Sequence, residues 1–210
     1  MPIHTQALLD PRKSPVQARS TASVEAILDA TIQVLLAVGI ERLTTTRVAT
    51  RAGVSVGTLY QYFPNKSALL QAVLTRHLSA VANAIQQVCE EQRGGSLETM
   101  VTAVINGFFA VKMKDVKTSV ALYSVSSSVD GVRILKRTNL QSNQAIAAML
   151  TSATHPPPDP ELAASILQGA LAGVSRRLLE SPAPEKQLIP IRREMIRMAT
   201  AYLTAIAAQP

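Results

Sequence analysis

An all-α fold is the first expectation, and three observations lead to it. Alanine occurs 30 times in 210 residues, aromatic residues make up only 3% of the chain, and no segment shows sustained polar–apolar alternation. Alanine is the strongest helix former, whereas aromatic and β-branched side chains favour strands. The same composition excludes several classes of chemistry. A single cysteine, Cys89, cannot form an internal disulfide, and three scattered histidines, His4, His77 and His155, are a poor stock for a metal site. No cofactor is expected. The most apolar stretch, residues 26–43, is interrupted by Asp29, Gln33, Glu41 and Arg42, and the polar N-terminus lacks the apolar core of a signal peptide. Neither a membrane span nor export is therefore expected, and the expected location is the cytoplasm.

Residues 1–19 hold three prolines together with Arg12, Lys13 and Arg19, and show no apolar periodicity. This predicts a flexible basic arm, either a free tail or a segment that enters a DNA minor groove. A first helix is predicted over residues 20–38, because Val24, Ile27, Leu28, Thr31, Val34, Leu35 and Val38 follow helical spacing, with Gly39 as its stop. Thr44, Thr45 and Thr46 supply N-cap candidates for a short helix ending before Gly53. Ser55 then caps a second short helix, which Pro64 ends. Two short helices joined by a tight glycine turn form a helix-turn-helix over residues 44–63. Asn65 caps a long helix over residues 66–91, broken by Gly94 and Gly95. Further helices are predicted over 96–113, 116–124, 131–153, 160–179 and 184–207, about nine in all. Pro190 should mark the start of the last helix or a kink in it. The expected divisions are the arm (1–19), a segment carrying the helix-turn-helix (20–81) and a longer helical remainder (82–210).

Charge supports that division. Lysine and arginine total 21 against 14 acids, a net charge of +7 that suits a polyanionic partner. No Asp or Glu occurs between residues 42 and 88, a window holding Arg42, Arg47, Arg51, Lys66 and Arg76.

Thr44-Thr45-Thr46, Ala49 and the unbroken run from Ala52 through Gly53, Val54, Ser55, Val56, Gly57, Thr58, Leu59, Tyr60, Gln61, Tyr62, Phe63, Pro64, Asn65 and Lys66 to Leu70 resemble the DNA-binding domain of the TetR family of transcriptional regulators. The resemblance covers about residues 21–81. The remaining chain matches only the length and helicity of that family's ligand-binding and dimerisation domain. It implies a homodimeric repressor that is not an enzyme, binds a palindromic or pseudo-palindromic double-stranded operator, and is released by a small-molecule effector of unknown identity.

A recognition helix must present small and polar side chains to base edges at its N-terminal end. Ser55, Val56, Gly57 and Thr58 meet that need. Val56 and the Thr58 methyl suit thymine methyls, and Gln61 suits an adenine edge. Tyr60 and Tyr62 offer hydroxyls to phosphates or pack on the first helix, and Lys66 at a helix N-terminus offers a phosphate contact or is simply solvated. Thr45, Thr46 and Arg47 open the preceding helix and are assigned to the backbone on the other side of the groove.

Dimerisation follows from the few bases that one helix-turn-helix can read. Leu162, Ile166, Gly169, Ala170 and Gly173 on one late helix, and Ile191, Met195, Met198, Tyr202 and Ile206 on the last, make the expected dimer face. Covering the monomer core is the other use of the same stripes. The candidates for lining the apolar effector pocket that the resemblance implies are Phe108, Phe109, Met113, Tyr123, Met149 and Leu171, with Asn106, His155 and Arg176 as candidate polar anchors; a place in the core or on the surface is the other reading of each. Cys89 is either a redox sensor or an inert buried thiol. Two other functions compete with regulation, a non-specific architectural DNA-binding protein and a small helical enzyme, although no nucleophile motif or paired carboxylates favour the latter.

Overall fold

The computed structural model describes residues 15–128 and 130–208, with the side chains of residues 15–19 and 128 left out. Residues 1–14 of the expected arm, with Arg12 and Lys13, lie outside the described residues, whereas residues 15–19 are the first turns of a helix and not part of a flexible arm. Nine helices and no strand occur among those described: α1 Pro15–Arg42, α2 Thr45–Ala52, α3 Val56–Tyr62, α4 Lys66–Glu91, α5 Leu97–Lys114, α6 Val116–Ser128, α7 Gly131–Thr151, α8 Pro160–Leu179 and α9 Pro184–Ala207. The chain divides into two compact units at Val73/Leu74. That boundary precedes the one expected at residue 81.

In the first unit α1 starts at Pro15, earlier than expected, since proline is tolerated in a first helical turn. The break comes at Gly39, whose φ of 75° and ψ of 171° lie in a region essentially reserved for glycine. One more turn follows before Arg42. Contrary to expectation, residues 20–42 are long and apolar enough by composition to cross a membrane. Their apolar side is spent inside the unit: Ile27, Leu28, Ala30, Val34 and Leu35 are buried, while the interrupting Asp29 and Gln33 face outward. Thr31, also buried, satisfies its hydroxyl on the Ile27 carbonyl at 2.7 Å. Leu43, Val48, Ala49 and Leu59 complete this core with Phe63, Leu69, Leu70 and Val73.

The second unit packs α7 against α8 and α5 against α9. Its core holds Met100, Val101, Val104 and Ile105 of α5, Ile146, Met149 and Leu150 of α7, Ala163, Ala164 and Leu167 of α8, and Met195, Ala199 and Leu203 of α9. Asp159 caps α8 by accepting from the Leu162 amide at 2.9 Å, with Pro160 in the first turn. α6 runs past the expected end at residue 124, to Ser128, and Ser124, Ser126 and Ser127 satisfy their hydroxyls on the carbonyls of Ala121, Tyr123 and Ser124. α9 begins at Pro184, not near Pro190, and continues through Pro190 in its second turn, where the ring removes a single backbone donor.

Candidate DNA-binding face and effector cavity

The helix-turn-helix is built from local caps. Thr44 accepts from the Arg47 amide at 3.2 Å and Ser55 from the Thr58 amide at 2.9 Å, so each short helix has its first turn closed by the preceding hydroxyl. Between them Gly53 adopts φ 68° and ψ 29°, a left-handed conformation costly for residues with a Cβ. Its amide and that of Val54 return to the end of α2, the latter to the Ala49 carbonyl at 3.1 Å. Leu59 is driven inward, which turns Ser55, Val56, Gly57, Tyr60 and Gln61 outward, with Thr58 and Tyr62 half-buried.

Thr46 and Arg47 are exposed at the start of α2, and Thr45 is half-buried there. The Tyr60 hydroxyl lies 3.1 Å from Thr45 Oγ1, joining the recognition helix to the start of α2 and setting two hydroxyls beside the free amides of a helix N-terminus. Lys66 does something the sequence did not suggest. Its Nζ donates to the carbonyls of Ile40 at 2.5 Å and Glu41 at 3.5 Å, closing the C-terminal end of α1. An ammonium has three donors, so these bonds leave one for a phosphate. Arg51 donates to Gln33 Oε1 of α1 and braces α2.

The second unit holds a partly open cavity of about 340 Å³ walled by α4, α5, α6, α7 and α8. Leu74, Leu78, Val81, Ile85, Phe108, Leu122, Leu135 and Leu171 give it an apolar wall, and Phe108 meets Phe109 edge to face at 5.4 Å. Of the residues assigned to the effector, Phe108, Tyr123, Leu171 and Arg176 line it. Phe109 and Met149 are in the core behind, Met113 is half-buried elsewhere, and Asn106 is exposed. His155 lies on a separate cleft with Ser96 and Thr200.

Two polar residues of this cavity escaped sequence reasoning. Lys112 is only 7% exposed; its ammonium stands 5.1 Å from the centre of the Tyr123 ring, and burial pulls its pKa down to about 8. His77 Nε2 is buried with no hydrogen-bond partner, and desolvation, reinforced by the Lys112 charge, lowers the ring to about 4. A signal for Lys112 existed, because it follows Ile105 and Phe108 by seven and four residues on the buried stripe of α5.

A family model described as bacterial regulatory proteins, tetR family, matches residues 27–73. A second, described as the tetracyclin repressor-like C-terminal domain, matches residues 96–203. The chain belongs to the TetR family. The HTH-type transcriptional regulator BetI of Escherichia coli is 32% identical over 83 residues, a match spanning 40% of this chain and 43% of BetI. Two solved structures share the fold. A TetR-family transcriptional regulator of Mesorhizobium loti superposes with a TM-score of 0.74 at 20% identity, covering 89% of this chain and 98% of its own. SmeT, the repressor of the Stenotrophomonas maltophilia multidrug efflux pump SmeDEF, gives 0.63 at 20% identity, covering 86% and 89%. TetR-family proteins are non-enzymatic DNA-binding transcription regulators that dimerise and respond to small molecules.

This TetR-family chain leaves part of the expected dimer stripe in solvent: Leu162 is 57% exposed, Ile166 and Met198 are close to half exposed, and Gly169 and Gly173 are also exposed. Ala170, Ile191, Tyr202 and Ile206 are half-buried against the protomer core. Met195 is fully inside it, a correction to the expected face, since helical spacing alone does not separate two adjacent apolar stripes on α9. Cys89 is buried, with its thiol pushed up to about 12 by burial and by Glu90, which is the environment of an unreactive thiol.

Proposed function

We propose that this TetR-family regulator is a cytoplasmic homodimeric repressor that binds a palindromic or pseudo-palindromic operator through α3 and releases it when a small molecule occupies the α4–α8 cavity. The observation that carries this reading is the pairing, in one chain, of an outward-facing start of α3 (Val56 and Gly57, with the N-cap Ser55) with a largely apolar cavity in the other unit. Thr45, Thr46, Arg47, Tyr60, Tyr62 and Lys66 hold the phosphates in this reading, and Thr58 and Gln61 join Val56 against the bases. Leu74, His77, Leu78, Val81, Ala82 and Ile85 of the cavity wall belong to α4, which also gives the first unit its buried Leu69, Leu70 and Val73. A ligand that moves α4 therefore acts on an element both units use. It lowers DNA affinity only by binding the DNA-incompetent state more tightly. The triclosan complex of SmeT is the precedent for a small molecule held by this fold.

Dimerisation is assigned to Leu162, Ile166, Gly169 and Gly173 of α8 with Met198 of α9. A Cβ at Gly169 would meet nothing within 4 Å in the protomer, so the space it leaves is open to a partner helix. Competition binding tests the whole reading. Duplex from upstream of the protein's own gene should compete at least about 100-fold better than unrelated duplex, and Gly169→Arg should sediment as a monomer with reduced operator affinity. Equal competition by unrelated duplex would leave a non-specific DNA-coating protein instead.

A further inference from the structure

The cavity carries a charge that no carboxylate among the described lining residues balances. Lys112 enters it from α5, and neither Asp nor Glu is among the residues that line it. The nearby cation Arg176 is different, since its Nε holds Glu180 Oε1 at 2.9 Å and the pair is exposed. Asp115, which acts on His77, spends its carboxylate on the Thr118 amide and hydroxyl at 2.9 and 2.6 Å. Lys112 has only the Tyr123 ring, and a ring face compensates a desolvated ammonium in part. His77 Nε2 in the same cavity is unpartnered, and the hydroxyls of Ser119 and Tyr123 line the wall nearby. Everything else on the α4 side is hydrocarbon.

From this arrangement we infer that the cavity selects a monoanionic amphiphile: a single carboxylate set against Lys112 and His77, with an apolar body along Leu78, Val81, Ile85 and Leu122. The inference rests on the cavity being the effector site, and it names the class of effector. A carboxylate supplies the missing counter-ion and accepts from the ammonium through charge-assisted hydrogen bonds. A neutral imidazole at His77 can offer its Nε2 hydrogen to the second oxygen. One buried cation suits one negative charge, which disfavours phosphate dianions, and cationic amphiphiles meet a repulsive lysine. The volume, about 340 Å³, falls near the low end for small-molecule pockets and suits a compact ligand.

Calorimetry on the full-length dimer with three probes of one chain length tests this: decanoate, decan-1-ol and decylammonium. Decanoate should bind at least about tenfold more tightly than decan-1-ol, and decylammonium more weakly than either. Lys112→Met should lose at least about tenfold for decanoate while leaving decan-1-ol unchanged, and Lys112→Arg should retain the preference. The titratable groups around the cavity are His77 on α4, Lys112 on α5, Tyr123 on α6 and Arg176 on α8. As Lys112 loses its proton above about pH 8, decanoate affinity should fall in the wild type and persist in Lys112→Arg. Equal or tighter binding of decan-1-ol or decylammonium overturns the inference, and this comparison needs no variant. An operator-release assay with the same probes separates the two readings. Binding of decanoate without release keeps the anion site and removes the effector role, whereas release by decylammonium with no decanoate binding keeps the regulator and removes the anion site.

Discussion

In the first unit Arg42, Arg47 and Arg51 stand in solvent and Lys66 rests on two backbone carbonyls, whereas in the second Lys112 is enclosed behind an aromatic ring. Both units carry positive charge, but solvent screens one set and a low-dielectric wall surrounds the other. Surface cations suit a polyanion that arrives from outside and is strongly salt-dependent. An interior cation remains an energetic liability until something pairs with it. The interactions that shape the first unit are mostly short in sequence: Thr44 to Arg47, Ser55 to Thr58 and Asn65 to Ala68 each span three residues. The cavity instead draws its wall from Leu74 to Arg176.

The largest expected effect breaks the first unit and spares the second. Leu59 is fully buried at the crossing of α3 with its neighbours, and Leu59→Ala should destabilise that unit by about 3 kcal/mol, abolishing operator binding. Ligand binding in the other unit should persist. Denaturant unfolding checks this, and a loss below about 1 kcal/mol would show that the two short helices do not depend on that side chain.

Next in size is a pH effect confined to the second unit. Folding lowers the pKa of Lys112 from 10.5 to about 8, so the unfolded chain binds more protons between those values and stability should rise with pH across that interval. The gain is at most about 1.4 kcal/mol per pH unit. It should vanish in Lys112→Met, which isolates it from other titrations. His77, lowered from 6.5 to about 4, should give a parallel rise as pH climbs between those values, absent from His77→Gln. A wild type and Lys112→Met with parallel pH profiles would place the ammonium in solvent and remove the contrast between the units.

A smaller change tests how the first unit divides its charge between holding itself together and holding DNA. Lys66→Ala loses the bonds to Ile40 and Glu41 and should cost about 1 kcal/mol of stability. If the third donor also meets a phosphate, the salt dependence of operator binding should weaken by about one ion. Lower stability with an unchanged salt slope would leave Lys66 with the structural role alone.

The sequence made the first unit readable where each signal and its partner lie within a turn of each other. Thr44, Ser55 and Asn65 cap the helices that their identity suggested, as Asp159 does in the second unit, and Gly53 sits in the turn that needs it. The bonds of Lys66 to Ile40 and Glu41 have no local signal, because their acceptors lie 26 and 25 residues away. The cavity was harder for the same reason. Tyr123 and Arg176 look like pocket residues by type, but Met149 and Phe109 look no different and are core. Lys112 stands between Val111 and Met113 in a segment that also holds Lys114, where a lysine reads as surface. Only its phase relative to Ile105 and Phe108 turns it inward, and a charged residue in that phase is easily dismissed as an exception.

Cys89 has a practical consequence. A chain whose sole thiol is 2% exposed and held neutral to about pH 12 is nearly silent toward maleimides and spin labels. A cysteine introduced at position 57, on the outward face of α3, would then take the label alone, with the native thiol left in place. Each subunit of a dimer would carry one probe, and the separation of the two reading helices, with and without ligand, becomes a distance that can be measured in solution.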